Sequence, residues 1–336
     1  MTNIKQDIKK LIIAAAAIIL SNITAYGTTA AAVTAPLAAA AAAYLTYSCG
    51  INAGILLGLA AAVFNALVLI ATDISSLGCI CGALFAVIPG IVCGIAFLKK
   101  ACVRNAVFAV TFSVVVFPLL YLAYVKYAVN FNIAEFFSTT VTQTLNKYFL
   151  LIKSIYPDAV QNISGNETEI FSLLGIYIPG LVPCILILLS FVYSAFVYWL
   201  AKKVCRRSMI SNSFFIQGLD SFFMPRITAV MLLFSMIIMF IDTDNITYMM
   251  FLNVIIIIFM MYAFEGLSFI EYKLNQKNYA FFLRVLLIFG LLIALTVIST
   301  LVPLLNAFFV LAFIGMTDSA QNLRKNGFNK GEFYEN

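Results

Sequence analysis

The stretch that decides the fold is ITYMMFLNVIIIIFMMYAFEGLSFIE, residues 246–271, which is apolar over most of its length. As an α-helix with ~1.5 Å rise per residue it would be about 39 Å long, enough to cross a ~30 Å hydrocarbon layer with tilt. Asn253 lies near one end of the stretch, and Glu265 lies inside the other. An ionisable side chain at mid-bilayer costs roughly 2.5–3.5 kcal/mol on insertion scales. We therefore expect Glu265 to face protein or water rather than lipid.

The composition of the whole chain places it in the membrane. The chain has 336 residues, of which 63% are hydrophobic and 10% are charged, whereas ordinary soluble domains carry about 25% charged residues. The apolar segments predict an all-α, polytopic integral membrane helix bundle with eight to ten transmembrane helices, whose main partner is the lipid bilayer. The net charge of +6 is interpreted as a topology signal and not as a nucleic-acid-binding surface.

Residue types that the sequence lacks argue against an enzyme. It contains no histidine, which excludes Ser–His and Cys–His dyads and histidine-ligated metal sites. The seven cysteines lie in apolar runs or at their ends and form no C-x-x-C pair, so we expect buried thiols and no metal site. There is no P-loop motif, and the chain cannot energise transport with ATP by itself. We expect no enzymatic activity and no cofactor.

Charge segregation predicts the topology. The candidate spans are residues 8–26, 28–48, 50–72, 76–98, 104–126, 173–201, 226–242, 246–271, 281–300 and 302–317. With a cytoplasmic N-terminus, 17 of the 20 lysine and arginine residues fall on the cytoplasmic side, as the positive-inside rule requires. Both termini are therefore expected to be cytoplasmic.

The last two candidate spans depend on a turn near Ser299 and Thr300. A single helix over residues 281–317 would be roughly 55 Å long, which is too long for one crossing. Basic residues flank both ends of that segment, so an even number of crossings is needed. Ser299 or Thr300 could cap a new helix that has Pro303 in its first turn.

The predicted organisation has four parts. Residues 1–129 form an Ala/Gly-rich membrane bundle of about five spans. Residues 130–172 form an extracytoplasmic amphipathic helix, over 133–155, and a loop. Residues 173–318 form a second membrane region, also of about five spans, with an interfacial helix near 208–224. Residues 319–336 form a cytoplasmic tail.

Small residues recur every four positions in the first half. Gly50, Gly54 and Gly58 are the most specific of these series, and such spacing lets membrane helices approach closely. We interpret them as helix-packing residues within the chain. The alternative is a docking face for another membrane subunit.

Three roles are open for Glu265. If residues 246–271 and 281–300 form an antiparallel hairpin, Arg284 lies at a depth where it can form a structural ion pair with Glu265. Alternatively Glu265 extends to the interface, or it forms a ligand or ion site together with Asn253. Interhelical hydrogen bonding is the simpler explanation of Asn253.

Gly315, Asp318 and Arg324 form a motif at the cytoplasmic end of the last span. Asp318 follows the end of that span, so the expected role is an N-cap of a terminal cytoplasmic helix. Subunit docking is the alternative role.

Five short motifs resemble one family. They are Thr34-Ala35-Pro36-Leu37 followed by Gly50; Pro89-Gly90-Ile91-Val92-Cys93-Gly94 before Lys99-Lys100; Met224-Pro225; Asn253 before Glu265-Gly266-Leu267; and Gly315-Met316-Thr317-Asp318-Ser319 before Leu323-Arg324-Lys325. In this order they resemble the YybS-like family of bacterial multi-pass membrane proteins, a domain of unknown function. That family is expected to have Gln-Gly-Leu where this chain has Glu265. The first half is similar, more loosely, to the substrate-capturing S components of energy-coupling-factor vitamin transporters, which dock a transmembrane partner through small-residue helix faces.

Two functional hypotheses follow. The first is a small-solute-binding membrane subunit of a transporter that a partner energises, with an unknown small-molecule ligand. The alternative is a structural or regulatory membrane scaffold that transports nothing.

Overall fold

A computed structural model gives the structure of the protein, and it describes residues 2–25, 29–72, 77–128, 130, 132–155, 177–208, 217–241, 245–301, 306–321 and 323–324. Within these ranges the secondary structure is helical, and no strand occurs. The helices are α1 (Thr2–Ala25), α2 (Ala31–Cys49), α3 (Ile51–Thr72), α4 (Leu77–Leu98), α5 (Val103–Ala128), α6 (Ile133–Ile155), α7 (Val182–Ser208), a 3-10 turn η1 (Leu219–Ser221), α8 (Ile227–Ile241), α9 (Asn245–Gln276), α10 (Phe281–Leu301) and α11 (Ala307–Gln321).

The predicted all-α polytopic bundle is confirmed. Among the residues that the structure describes, seven helices are long and apolar enough to cross a membrane, namely α1 to α5, α7 and α9, and α8, α10 and α11 contain shorter apolar segments. These ten helices correspond one to one with the ten candidate spans of the sequence. Many large apolar side chains on α3, α8 and α10 are exposed, which is the pattern of surfaces that face lipid. The orientation of the termini stays a prediction.

Helix α2 is the centre of the first half, where it packs against α1, α3, α4 and α7. A Cβ atom on Gly90 of α4 would lie 2.0 Å from the Ala39 carbonyl oxygen, and one on Gly94 would lie 2.7 Å from that of Ala43. From the first contact to the second, the residue numbers on α4 and on α2 both increase by four. The two helices therefore run parallel, with their backbones nearly touching. Alanine and glycine are what allow this approach, because they add almost no side chain between the helices.

The segment between α7 and α8 contains no α-helix where the structure describes it. Residues 217–225 contain η1 and otherwise extended backbone, and Phe222 and Met224 are buried. The interfacial helix predicted near 208–224 is therefore wrong for residues 217–224, and residues 209–216 lie outside the described part. Proline disfavours the α-helical conformation of the residue before it, so Pro225 opposes an α-helix that includes Met224.

The end of the chain forms two separate helices, as predicted, but the cap differs. Helix α10 continues to Leu301 and α11 begins at Ala307, with the Phe308 amide donating to Asn306 Oδ1 over 3.1 Å. Ser299 donates instead to the Thr296 carbonyl within α10. Asn306 is thus the N-cap, a role in which asparagine is among the best residues. Pro303 lies outside the described residues.

The helix predicted over residues 133–155 is present as α6 with those bounds, and its extracytoplasmic location stays a prediction. Its N-terminus is capped by Asn132, which accepts from the Glu135 amide over 3.3 Å and donates to its carboxylate over 3.1 Å. The pair is reciprocal like a capping box, but the donor to Glu135 is the Asn132 side-chain amide and not its backbone N–H. Residues 156–172 and 325–336, assigned to a loop and to the tail, lie outside the described residues.

Candidate functional site

Helices α9 and α11 meet at two glycines. A Cβ on Gly266 would lie 2.0 Å from the Leu311 carbonyl oxygen, and one on Gly315 would lie 2.0 Å from the Tyr262 carbonyl oxygen. Phe259 and Phe309 have ring centroids 5.1 Å apart, and Arg324, after the end of α11, lies 5.8 Å from the Tyr272 ring further along α9. Contacts that advance together along both segments show that the two helices run parallel. Helix α10 must then cross back between them, which supports two crossings after α9.

Arg324, just after α11, lies at the centre of a buried polar cluster at this contact. The cluster consists of Arg324, Asp318, Ser268, Ser319 and Glu265. Its Nε lies 2.7 Å from Asp318 Oδ2, and its Nη1 donates to Ser268 Oγ over 3.2 Å and to the Asp220 carbonyl. Its Nη2 donates to the Glu265 backbone carbonyl over 3.3 Å. Asp318 is fully buried and Arg324 is 8% exposed. A planar guanidinium suits this task because its donors point in fixed, diverging directions.

The sides of the guanidinium are covered by aromatic rings. Its central carbon lies 5.8 Å from the ring centroids of both Phe269 and Tyr272 on α9. Contacts of this kind add cation–π attraction, which is stronger where water is excluded. The cluster is therefore held by charge, hydrogen bonds and aromatic contact together.

The cluster also forms hydrogen bonds with the segment 217–226, which contains η1 and precedes α8. Ser268 donates to the carbonyl oxygens of Leu219, over 2.7 Å, and Phe222, over 3.2 Å. Ser319 donates to the Met224 carbonyl over 3.0 Å. Irregular backbone at membrane depth is tolerated where protein groups satisfy it, and here side chains of α9 and α11 supply the donors.

Glu265 lies in this cluster, fully buried. Among the described residues neither carboxylate oxygen has a hydrogen-bond partner, and Asp318 Oδ1 has none either. The Asp318 carboxylate, the Arg324 guanidinium and the Met224 backbone are its polar neighbours. A buried carboxylate without a partner is unusual, because desolvation of a charge is costly.

The predicted ion pair between Glu265 and Arg284 is not formed. Arg284 Nε has no hydrogen-bond partner in the described chain, and its guanidinium lies 5.9 Å from the Phe281 ring centroid. Helix α9 packs mainly against α11 and only slightly against α10, so the Glu265 side of α9 is turned away from Arg284. The sequence argument assumed that the consecutive helices α9 and α10 would pack together. In the structure α9 packs instead against α11, the helix that follows α10.

Asn253 is far from Glu265, so these two predicted ligand residues are not brought together. Twelve residues along a helix correspond to about 18 Å. Asn253 Nδ2 donates to the carbonyl oxygens of Gly180, over 2.8 Å, and Met249, over 2.7 Å, and its Oδ1 accepts from the Cys184 amide over 3.2 Å. The bonds to Gly180 and Cys184 join α9 to the start of α7, and the bond to Met249 lies within α9. This fits the structural interpretation of Asn253.

The three glycines predicted to pack helices differ in their roles. A Cβ on Gly54 would lie 2.4 Å from Thr46 Oγ1, and one on Gly58 would lie 3.4 Å from Ile91 Cδ1. Both contacts are within the chain. Gly50 has nothing within 4 Å; it ends α2 with a φ of 93°, a conformation that glycine adopts without strain. The packing interpretation therefore fails for Gly50, which is a turn residue.

The sequence motif Gly315, Asp318 and Arg324 is brought together, but Asp318 is not an N-cap. It lies inside α11 and its carboxylate pairs with Arg324. Sequence reasoning also gave no role to the hydroxyl group of Ser319, and it missed those of Tyr262 and Ser268. The available signal was spacing, because Tyr262 and Ser268 lie three residues on either side of Glu265 and so share its face of the helix.

Comparison with known proteins agrees with this architecture. No curated protein and no solved structure matched the chain. The finer likenesses to YybS-like proteins and to S components stay predictions. One family model matches residues 14–319, with the description "Predicted membrane protein (DUF2232)". Because the match covers most of the chain, the protein belongs to this family of predicted membrane proteins, DUF2232.

Proposed function

We propose that the protein is a non-enzymatic subunit of the bacterial cytoplasmic membrane, with both termini cytoplasmic, that binds a small solute for a transporter energised by a partner. One observation carries the proposal, namely the fully buried Glu265 carboxylate without a hydrogen-bond partner among the described residues. Ionisable residues inside membrane bundles are costly, and they commonly mark substrate or ion pathways. The absence of a P-loop from the sequence makes a separate ATPase the source of energy.

A second candidate function is a structural or regulatory scaffold that transports nothing. The close backbone contacts of α2 with α4, at Gly90 and Gly94, favour it because they use the small residues for packing within the chain. On this proposal, the small-residue faces would not be docking surfaces for another subunit.

The two candidates are separated by mild detergent extraction of the tagged, full-length protein from its own membranes. Copurifying proteins are identified by mass spectrometry, and small molecules are released from the purified protein and measured. The transporter proposal expects a membrane partner with ATPase subunits and a small molecule near one per chain. Glu265→Gln should reduce that small molecule several-fold, whereas Glu135→Gln, at an exposed position on α6, should leave it unchanged. Recovery of the protein alone, or with envelope proteins only, would overturn the transporter proposal and favour the scaffold.

A further inference from the structure

Three carboxylate oxygens without partners lie in one buried cluster. They are both oxygens of Glu265 and Oδ1 of Asp318. The two residues are linked by a single guanidinium, because Arg324 donates to the Glu265 backbone carbonyl with Nη2 and pairs with Asp318 through Nε. With both carboxylates ionised, Glu265, Asp318 and Arg324 together carry a formal charge of −1.

The nearby hydroxyl protons are already used. Ser268 and Ser319 donate to carbonyl oxygens of the segment 217–226. Thr228 donates to the Pro225 carbonyl over 2.6 Å, so in its 2.6 Å contact with Tyr262 the tyrosine hydroxyl must be the donor. These groups therefore present lone pairs, not protons, to their remaining neighbours. The cluster is rich in acceptors and poor in donors, which is the environment of a positively charged ligand.

We propose that Glu265 and Asp318 bind a monovalent alkali-metal cation. One such ion balances the formal charge of −1, and carboxylate and hydroxyl oxygens are the ligands that hard cations prefer. A proton is the other source of positive charge, and the responses to alkali ions and to pH distinguish the two. The inference deepens the proposed function, on which it rests for the position of the site.

The test uses thermal unfolding of the full-length protein in detergent at constant ionic strength. Sodium chloride, potassium chloride and choline chloride are compared for the wild type, Glu265→Gln and the exposed control Glu135→Gln. At ten times its dissociation constant, a bound ion should raise the Tm of the wild type and of Glu135→Gln by roughly 2–5 °C over choline. Glu265→Gln, which keeps the shape of the side chain but removes its charge, should show no such rise.

A second measurement needs no variant and so does not depend on how Glu265→Gln folds. Radioactive sodium binding to the wild-type protein should saturate near one ion per chain and be displaced by unlabelled sodium or lithium. Equal Tm values in all three salts together with no saturable sodium binding would overturn the proposal. A Tm that responds to pH but to neither alkali ion would also overturn it, since a proton alone would then neutralise the site.

These outcomes are distinct from those that test the proposed function. A copurified small molecule without any alkali-ion response would retain the solute-binding function and reject the cation site. Saturable sodium binding without a small molecule or a membrane partner would retain the site and reject the transporter subunit.

Discussion

Gly266 and Gly315 lie opposite each other on two parallel helices, and a Cβ on either would fall 2.0 Å from a backbone carbonyl oxygen of the other helix. No rotation of a side chain can relieve such a contact, because the obstructing atom belongs to the main chain. The separation of α9 from α11 is therefore set by these two glycines. That separation in turn fixes the distance over which Arg324 must reach from Asp318 to Ser268.

Replacing Gly266 or Gly315 with alanine should destabilise the bundle. The added methyl group must push the helices apart, and overpacking of this kind costs about 1–3 kcal/mol or more. Gly290→Ala on α10 is the matched control, because a Cβ there has nothing within 4 Å. The control should gain up to about 1 kcal/mol from helix propensity. Thermal unfolding in detergent measures the difference, and equal Tm values for the three variants would contradict the packing argument.

Arg324→Ala should be among the most damaging single substitutions in the described chain. It leaves the fully buried Asp318 without its ion pair, and removal of one partner from a buried pair costs about 3–5 kcal/mol. The double variant Arg324→Ala, Asp318→Ala should lose less stability than the two single losses added together. Arg104→Ala, which removes only a 3.3 Å bond to Asn105 at the surface, should change stability by about 0.5 kcal/mol or less. Additive losses in the double variant would show that the pair is not coupled.

Asn253→Ala should weaken the attachment of α9 to the start of α7. It removes three hydrogen bonds to backbone groups, each of modest worth in membranes, so the expected loss is roughly 1–2 kcal/mol. If Asn253 is purely structural, small-molecule recovery per folded chain should not change. A normal Tm with a several-fold loss of the copurified molecule would instead favour the ligand role that the sequence suggested.

The predicted topology can be tested with native thiols. Cys49 and Cys102 are exposed and lie at turns that the charge pattern assigns to the cytoplasm. A membrane-impermeant maleimide should modify both in inside-out vesicles and neither in right-side-out vesicles, as read by mapping the modified peptides. A cysteine introduced by Lys147→Cys on the exposed side of α6 should show the opposite pattern. The reverse result for all three would invert the topology.

Much of the fold could be predicted because membranes restrict the choices. Apolar runs of sufficient length give helices, and the helices Ile51–Thr72 and Leu77–Leu98 begin within one residue of the predicted spans 50–72 and 76–98 and end with them. Local chemistry was less reliable at the turn before α11, where Asn306 caps the helix although Ser299 and Thr300 looked suitable. The extended segment 217–225 could not be foreseen, since its conformation depends on donors from Ser268 and Arg324 that are distant in sequence.

The candidate site shows the same limit. Glu265 was recognised as unusual, and Asp318 and Arg324 were recognised only as parts of a motif, but spacing alone could not show that α9 packs against α11 more than against α10. The assumed α9–α10 hairpin therefore directed Glu265 to Arg284. The glycine pair Gly266 and Gly315 was the missing clue, because two glycines on different helices allow a close contact between them.

The segment 217–226 has a consequence for assembly of the protein. Its carbonyl oxygens at Asp220 and Met224 accept hydrogen bonds from Arg324 and Ser319, which lie about a hundred residues further along the chain. Until α11 has been synthesised and inserted, these oxygens can be satisfied only by water or by non-native partners. A chain that ends before residue 307 should therefore keep this segment open to protease, and the native bundle should close only when its C-terminal helix arrives.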